Sequence, residues 1–82
     1  MRTVAYTRAA LRALRKHRNM AARIMAKIED YAVDPQSLAN VVTDLVGTDH
    51  RRLRIGDFRV LFRETPAQVT VLDIGPRGSI YD

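Results

Sequence analysis

Arginine and apolar residues alternate between Arg51 and Arg63, and this pattern constrains the fold of the chain more than any other feature. The segment reads RRLRIGDFRVLFR and contains five arginines and one acid. Successive side chains of a strand point to opposite faces, so the alternation predicts strands with one apolar and one basic face. The expected apolar face holds Leu53, Ile55, Phe58, Val60 and Phe62, and the expected basic face holds Arg52, Arg54, Arg59 and Arg63. Crowded like charges cost free energy unless a polyanion neutralises them, so we expect nucleic acid or a strongly acidic protein segment as partner.

The composition is that of one small globular domain spanning residues 1–82. Hydrophobic residues make up 46% of the chain, and cysteine is absent, which excludes a disulfide framework and a thiolate metal site. Two isolated histidines do not form a ligand set, so neither a metal nor a cofactor is expected. No apolar run approaches the ~20 residues of a membrane helix, and the N-terminus lacks the apolar core of a signal peptide. The sequence therefore predicts a soluble cytoplasmic protein.

The charges are distributed unevenly along the chain. Residues 1–28 hold eight Lys or Arg and no acid, whereas residues 29–50 hold five acids and no Lys or Arg. Twelve of the fourteen basic residues are arginines, whose planar fork grips phosphate or carboxylate through two hydrogen bonds. This bias favours specific phosphate or carboxylate contacts, although a GC-rich genome would produce the same bias.

The first half of the chain predicts a short strand followed by a helical hairpin. Residues 2–6 fit the strand, and Thr7 is a suitable N-cap for a helix that runs to about His17. We expect Asn19 to cap a second helix, which Asp34-Pro35 ends because proline disfavours the helical conformation of the residue before it. The inward-facing residues of the two helices are expected to be Leu11, Leu14, Ala21, Ile24, Met25, Ile28, Tyr31 and Ala32.

The second half of the chain predicts a small sheet. Residues 36–46 fit either a short helix or a packed loop. Strands are expected at about 51–56, 58–64 and 69–75, and their short turns make them antiparallel neighbours; residues 79–81 suggest a last short strand. The predicted fold is α+β with the order β-α-α-β-β-β, in which a helical hairpin packs on one face of a small, mainly antiparallel sheet.

The helical hairpin followed by RLRIGDFRVLF and VTVLDIGPRGSIYD resembles the RelE/ParE family of toxins from bacterial toxin–antitoxin systems. The resemblance covers nearly the whole chain. It is densest where the family shows a basic strand, a Gly-Asp-aromatic-Arg turn and a late Gly-x-Arg followed by Tyr. It implies a RelE-like fold and a cognate antitoxin as partner. For a member of the ribonuclease branch, the resemblance further implies cleavage of messenger RNA, often in the ribosome, without a metal or a small-molecule cofactor.

The resemblance also implies functional residues. That branch uses basic residues on the central strands, an arginine just after the last long strand and, in some members, a C-terminal tyrosine. The expected catalytic residues are Arg59, Arg77, Tyr81 and His50. The expected RNA-binding residues are Arg51, Arg52, Arg54 and Arg63. Several members carry lysine or histidine where this chain has arginine. Because arginine stays protonated, it is a poor proton-transfer group, and only Tyr81 and His50 can serve in general acid–base catalysis. The sequence does not distinguish between these two candidates.

Three functions are compatible with these residues. The first is a metal-independent endoribonuclease that cleaves messenger RNA by attack of the 2′-OH. The second is a poison of DNA gyrase, as in the ParE branch, which usually lacks the basic set. The third is a catalytically silent basic module that binds RNA or protein, in which the strand arginines are solvated and Tyr81 only packs. The order and spacing of Arg59, Arg77 and Tyr81 favour the ribonuclease.

Overall fold

The computed structural model describes residues 2–78 and shows two helices against a five-stranded sheet. The helices are α1 (Arg8–Lys16) and α2 (Arg18–Val33), followed by a short 3₁₀ helix (Pro35–Val41). The strands are β1 (Thr3–Tyr6), β2 (Val42–Asp44), β3 (Arg51–Ile55), β4 (Phe58–Glu64) and β5 (Gln68–Pro76). The predicted α+β order is thus confirmed with one additional strand, β2. The expected last strand at residues 79–81 lies outside the described residues.

The five strands are arranged in the order β1-β5-β4-β3-β2. β1 runs parallel to β5, and the other neighbouring pairs are antiparallel. A parallel pair of strands cannot be joined by a tight turn and needs a long connection. β1 and β2 are the two edge strands, and the helical hairpin lies between them in the chain and connects one edge of the sheet to the other. The two-residue turn Gly56–Asp57 joins β3 to β4, and Gly56 adopts a φ of +56°, which glycine tolerates best.

The ends of the helices follow the sequence signals with one correction. The Thr7 hydroxyl accepts a hydrogen bond from the Ala10 N–H at 3.2 Å, so Thr7 caps α1 as predicted. The prediction that Asn19 caps α2 is wrong, because His17 alone connects the helices and Asn19 already lies in the first turn of α2. The His17 N–H still donates to Ala13, and the His17 carbonyl accepts from Met20. This one-residue connection leaves no room for a separate capping residue.

The core lies between the helices and one face of the sheet, which we call the inner face. Its buried members are Ala10, Leu14, Ile24, Ile28, Tyr31, Ala32, Leu53, Ile55, Val60, Phe62, Val69, Val71 and Ile74. The predicted inward positions of β3 and β4 are therefore confirmed, with Phe58 half-buried at the end of β4. Leu11 and Met25 depart from the prediction, since they remain 45% and 39% exposed on the outside of the hairpin.

A bulge in β5 keeps an acid out of this core. Leu61 pairs with Asp73 and Phe62 pairs with Val71, so Leu72 is an extra residue in β5. Strict alternation after Val71 would turn the carboxylate of Asp73 inward. The extra residue reverses the alternation, and Ile74 becomes 3% exposed in the core while Asp73 accepts the Ile74 N–H at 2.8 Å.

Candidate nucleic-acid interface

The sheet face opposite the helices, here called the outer face, carries the arginines that the alternation predicted. On β3, Leu53 and Ile55 point to the core, which leaves Arg52 and Arg54 on the outer face. Arg54 lies directly opposite Arg59 of β4 in the strand register. Like charges in such a cross-strand pair are destabilising, so the arrangement is one that an anion would stabilise.

These three arginines line a common cavity. Arg52, Arg54 and Arg59 form one side of it, and its volume is about 140 Å³. Guanidinium groups provide only hydrogen-bond donors, so this side of the cavity suits a ligand rich in acceptor oxygens, such as a phosphate.

Arg59 is held in place by its own hairpin. Its Nη1 donates to the carbonyl of Gly56 at 3.2 Å and to the carbonyl of Phe58 at 3.1 Å. Both acceptors belong to the main chain at the β3–β4 turn. The guanidinium group is therefore oriented before any ligand binds, which is the condition under which a fixed charge stabilises a transition state best.

Arg77 follows β5 at the same end of the sheet. Gly75 and Pro76 pair with Arg59 and Phe58, and the main-chain N–H of Arg77 donates to the Asp57 carbonyl at 2.5 Å. The main chain of Arg77 therefore lies next to the turn that orients Arg59, and its side chain is exposed. Tyr81 lies outside the described residues.

His50 and Arg63 lie toward the other end of these strands. His50 precedes β3 and is two residues from Arg52 and four from Arg54, about 7 and 13 Å along an extended strand, and it is not among the described residues that line the cavity. Its Nε2 lies 3.5 Å from a carboxylate oxygen of Asp49. Arg63 is exposed and pairs with Thr70, four residues along β4 from Arg59. The structure therefore does not bring His50 or Arg63 into the cavity.

Arg51 lies on the inner side of the sheet, away from the other arginines. Its Nη1 is 2.6 Å from Glu64 Oε1 and donates to the Tyr31 hydroxyl at 2.7 Å, and its Nε is 2.7 Å from Asp44 Oδ1. Glu64 also pairs with Arg2 at 3.1 Å. We call these five side chains the Glu64 network. Arg51 therefore pairs with two carboxylates and a hydroxyl, and no local sequence pattern indicates these distant partners.

The Tyr31 hydroxyl donates to Glu64 within this network. Burial, assisted by that hydrogen bond, raises the pKa of Tyr31 to about 12. Tyr31 therefore keeps its proton at neutral pH and acts as a fixed donor between α2 and β4 rather than as an acid or base.

The other side of the cavity holds residues that the sequence did not identify. Asn40, Val41 and Thr43 complete its lining and come from the 3₁₀ helix and β2. Val42 packs against the core and Thr43 pairs with Arg52, which fixes this segment against β3. Three consecutive β-branched residues, Val41, Val42 and Thr43, are a weak local signal for the strand.

A second basic cleft lies between α1 and the last residues of β5. Arg12, Lys16 and His17 line it together with Asp73, and its volume is about 360 Å³. Phe58 contacts the ring of His17 edge to face, with the ring centroids 4.9 Å apart. This cleft contains both signs of charge, whereas among residues 2–78 the charged residues that line the outer-face cavity are all arginines.

No three His, Asp or Glu side chains among residues 2–78 cluster as metal ligands would. No helix in that range combines the length and the apolar character needed to span a membrane.

Comparison with known proteins identifies the family. The family model of the ParE toxin of type II toxin–antitoxin systems, parDE, matches residues 4–81. No curated protein matches the chain by sequence. The family model carries the name ParE, whereas similar solved structures carry the names RelE and YafQ.

Solved structures support the same family. A chain of the RelBE2 toxin–antitoxin complex from Mycobacterium tuberculosis is 26% identical, with coverage of 93% of this chain and 98% of that one and a TM-score of 0.65. A chain of the archaeal RelE–RelB complex from Pyrococcus horikoshii OT3 is 24% identical, with 95% and 97% coverage and a TM-score of 0.74. A YafQ mutant from E. coli is 11% identical, with complete coverage of both chains and a TM-score of 0.69. The family resemblance seen in the sequence is thereby confirmed, and the chain belongs to the RelE/ParE family of toxins of type II toxin–antitoxin systems.

Proposed function

We propose that this protein is a metal-independent endoribonuclease that cleaves messenger RNA as the toxin of a toxin–antitoxin pair. The observation that carries the proposal is the cavity lined by Arg52, Arg54 and Arg59, in which two arginines lie directly opposite each other. Three guanidinium groups facing one space match the oxygens of a phosphodiester and its negative transition state.

The proposed reaction uses the nucleophile that RNA itself carries. A base removes the proton of the 2′-OH, the oxygen attacks the adjacent phosphorus, and an acid protonates the departing 5′-oxygen. The products are a 2′,3′-cyclic phosphate and a 5′-hydroxyl. Arg52 and Arg54 would hold the phosphate in line for attack, and the pre-oriented Arg59 would stabilise the charge that develops on its oxygens.

Acid–base catalysis would fall to Tyr81, four residues after Arg77 in the sequence. His50 is the alternative; it lies two residues before Arg52, about 7 Å along the strand, and is not among the described residues that line the cavity. A phenol has a pKa of about 10 and needs nearby cations to act near neutral pH, and Arg59 and Arg77 would supply them. We therefore prefer Tyr81 as the proton-transfer group.

A poison of DNA gyrase is the second candidate function. It is favoured by one specific observation, namely that the matching family model is that of the ParE toxin. Such a protein acts by binding and needs no arginine cavity. The two functions are therefore separable by whether RNA or DNA is damaged.

The proposed function implies particular partners. The RelBE2 and RelE–RelB structures are toxin–antitoxin complexes, and we infer that this chain also has a cognate antitoxin. A net charge of +5 favours an antitoxin with acidic segments and, as further ligands, messenger RNA and the ribosome. Such a toxin would act in the cytoplasm, where translation takes place.

Defined RNA substrates test the proposal directly. Purified protein, with and without ribosomes, is incubated with single-stranded RNA, and the new ends are mapped. We expect internal cuts with 2′,3′-cyclic phosphate ends that EDTA does not suppress. Arg54→Ala should lower the rate by about 100-fold or more, whereas Arg8→Ala, an exposed arginine of the helical layer, should not.

Gyrase supercoiling is measured in parallel on the same preparations. Intact RNA together with gyrase-dependent DNA breaks would reject the ribonuclease and establish the second candidate. RNA cleavage that Arg54→Ala leaves at the wild-type rate would retain the activity but reject the cavity as its site.

A further inference from the structure

The outer-face cavity has two chemically different sides. The β3–β4 side is formed by guanidinium groups, which donate hydrogen bonds and accept none. Within residues 2–78, the opposite side is formed by Asn40, Val41 and Thr43, none of which is charged. An arginine can satisfy the oxygens of a phosphate, but it cannot accept a hydrogen bond from the amino group of a nucleobase.

Asn40 supplies a hydrogen-bond acceptor, which the arginines lack. Its side-chain amide has an oxygen that accepts and an NH₂ group that donates, and the two are adjacent. Adenine presents a matching pair on one edge, an amino donor next to a ring-nitrogen acceptor, and asparagine pairs with that edge through two hydrogen bonds. Asn40 is exposed, and within residues 2–78 its amide makes no hydrogen bond, so it is available to a ligand.

The main chain around Asn40 is well fixed. Val41 and Val42, which follow it, are half-buried against the core, and the Val42 N–H donates to the Ala39 carbonyl. Thr43 then pairs with Arg52 on the neighbouring strand. Asn40 is thus held at a set distance from the phosphate-binding side of the cavity, as a residue that reads one particular base must be.

We propose that Asn40 is a specificity-determining residue that recognises an adenine of single-stranded RNA next to the phosphate held by Arg52, Arg54 and Arg59. The inference rests on the proposed ribonuclease function and adds to it a preference for adenine beside the bound phosphate. Single-stranded RNA suits this mode of recognition because its unstacked bases expose the edges that a duplex hides.

The test compares four short RNAs that differ only in the base at the cut position. Cleavage rates are measured for the wild type, Asn40→Ala and Asn40→Asp. Asn19→Ala is the matched control, because Asn19 is the other asparagine of the chain and is exposed on α2. Thermal unfolding of each variant shows that the fold is kept.

We expect the wild type and Asn19→Ala to prefer adenine. Losing a bidentate base contact should reduce the preference for adenine over the other bases by roughly 5- to 150-fold in Asn40→Ala. Asn40→Asp keeps the shape but cannot donate to the ring nitrogen of adenine, so it should lose the preference as well.

Two outcomes overturn the inference, and they differ. If the wild type cleaves RNA and both Asn40 variants keep its order of base preference, Asn40 does not read the base and the ribonuclease function stands. If the wild type cleaves none of the four RNAs, free or on programmed ribosomes, the proposed function and the inference fall together.

Discussion

Neighbouring arginines of one strand have different surroundings in this protein. Arg51 faces inward and is bound by Glu64 and Asp44, while Arg52 and Arg54 face the outer cavity. The difference follows from the two-residue period of a strand, which sends adjacent side chains to opposite faces. The sequence prediction grouped Arg51 with the RNA-binding residues. Its two carboxylate partners instead favour a role in stability.

Replacement of Arg51 should therefore reduce stability. Arg51→Ala removes one of the two cations that pair with the largely buried Glu64 carboxylate, at a cost of about 1–2 kcal/mol. For a domain of this size that corresponds to a fall in Tm of roughly 4–16 °C. The measurement is thermal or urea unfolding, with Arg54→Ala as the exposed control that changes stability by less than about 0.5 kcal/mol. An Arg51→Ala protein of unchanged stability would reject the structural role.

Arg77 and Tyr81 are expected to affect the reaction rather than the fold. Arg77 is exposed and its main-chain N–H donates to the turn, so Arg77→Ala keeps that hydrogen bond. We expect Arg77→Ala and Tyr81→Phe to stay folded and to bind antitoxin, but to cleave RNA at least about 100-fold more slowly. Single-turnover cleavage at saturating protein separates this loss from weaker binding.

Tyr81→Ala distinguishes two roles of the ring. If Tyr81→Phe cleaves at the wild-type rate and Tyr81→Ala does not, the ring acts as a stacking platform and His50 becomes the preferred acid–base group. Full activity of Arg77→Ala would remove Arg77 from the site.

At the scale of elements, the Glu64 network ties the two edges of the sheet to α2. Arg2 precedes β1, Glu64 ends β4, Arg51 begins β3 and Asp44 ends β2, while Tyr31 reaches them from α2. The arginine cavity uses the outer face of the same strands. The ion pairs and hydrogen bonds on the inner side therefore stabilise the strands whose outer face carries the cavity.

The tyrosine of this network predicts a specific pH dependence of stability. Burial and the bond to Glu64 raise the pKa of Tyr31 to about 12 in the folded state, against an ordinary value of 10.0. A raised pKa means that the folded state holds the proton more tightly. The resulting contribution of Tyr31 to the free energy of unfolding is fully present below pH 10.0 and is lost as the pH rises toward 12.

Tyr31→Phe should remove this dependence. Between pH 10 and 12 the free energy of unfolding should fall more steeply in the wild type, by up to about 1.4 kcal/mol per pH unit, than in the variant. Urea unfolding at a series of pH values measures both proteins, and other groups that titrate there cancel in the difference. Parallel curves for the two proteins would contradict the assignment.

The sequence predicted the elements whose signals are local. The faces of Leu53 and Arg54 follow from alternation alone, and the cap at Thr7 and the helix end before Pro35 follow from single residues. β2 is only three residues long and is defined by its pairing with β3, and the bulge at Leu72 exists only relative to β4. Asn40 joined the candidate site for the same reason: pairing, rather than local sequence, brings it to the cavity.

At the scale of the whole molecule, positive charge occupies both layers of the fold. The outer face carries the arginine cavity, and the helical layer carries most of the eight Lys or Arg of residues 1–28, a segment without acids. The outer-face cavity and the helical layer lie on opposite faces of the sheet. The helical charges are therefore suited to a second, larger anionic partner.

Charge reversal on α1 should separate these two surfaces. Arg8 and Arg15 are exposed on α1 and lie outside the outer-face cavity. If the helical layer contacts ribosomal RNA, Arg8→Glu with Arg15→Glu should weaken ribosome binding by tenfold or more, about 1.4 kcal/mol, and flatten its salt dependence, because fewer counterions are released. Cleavage of a short free RNA should stay at the wild-type rate in this variant, whereas Arg54→Ala should reduce it. Sedimentation with ribosomes at several salt concentrations measures the first effect, and end-labelled RNA measures the second. Unchanged ribosome binding would assign the helical charges to solvent or to the antitoxin, and an equal loss on free RNA would show that the two surfaces act as one.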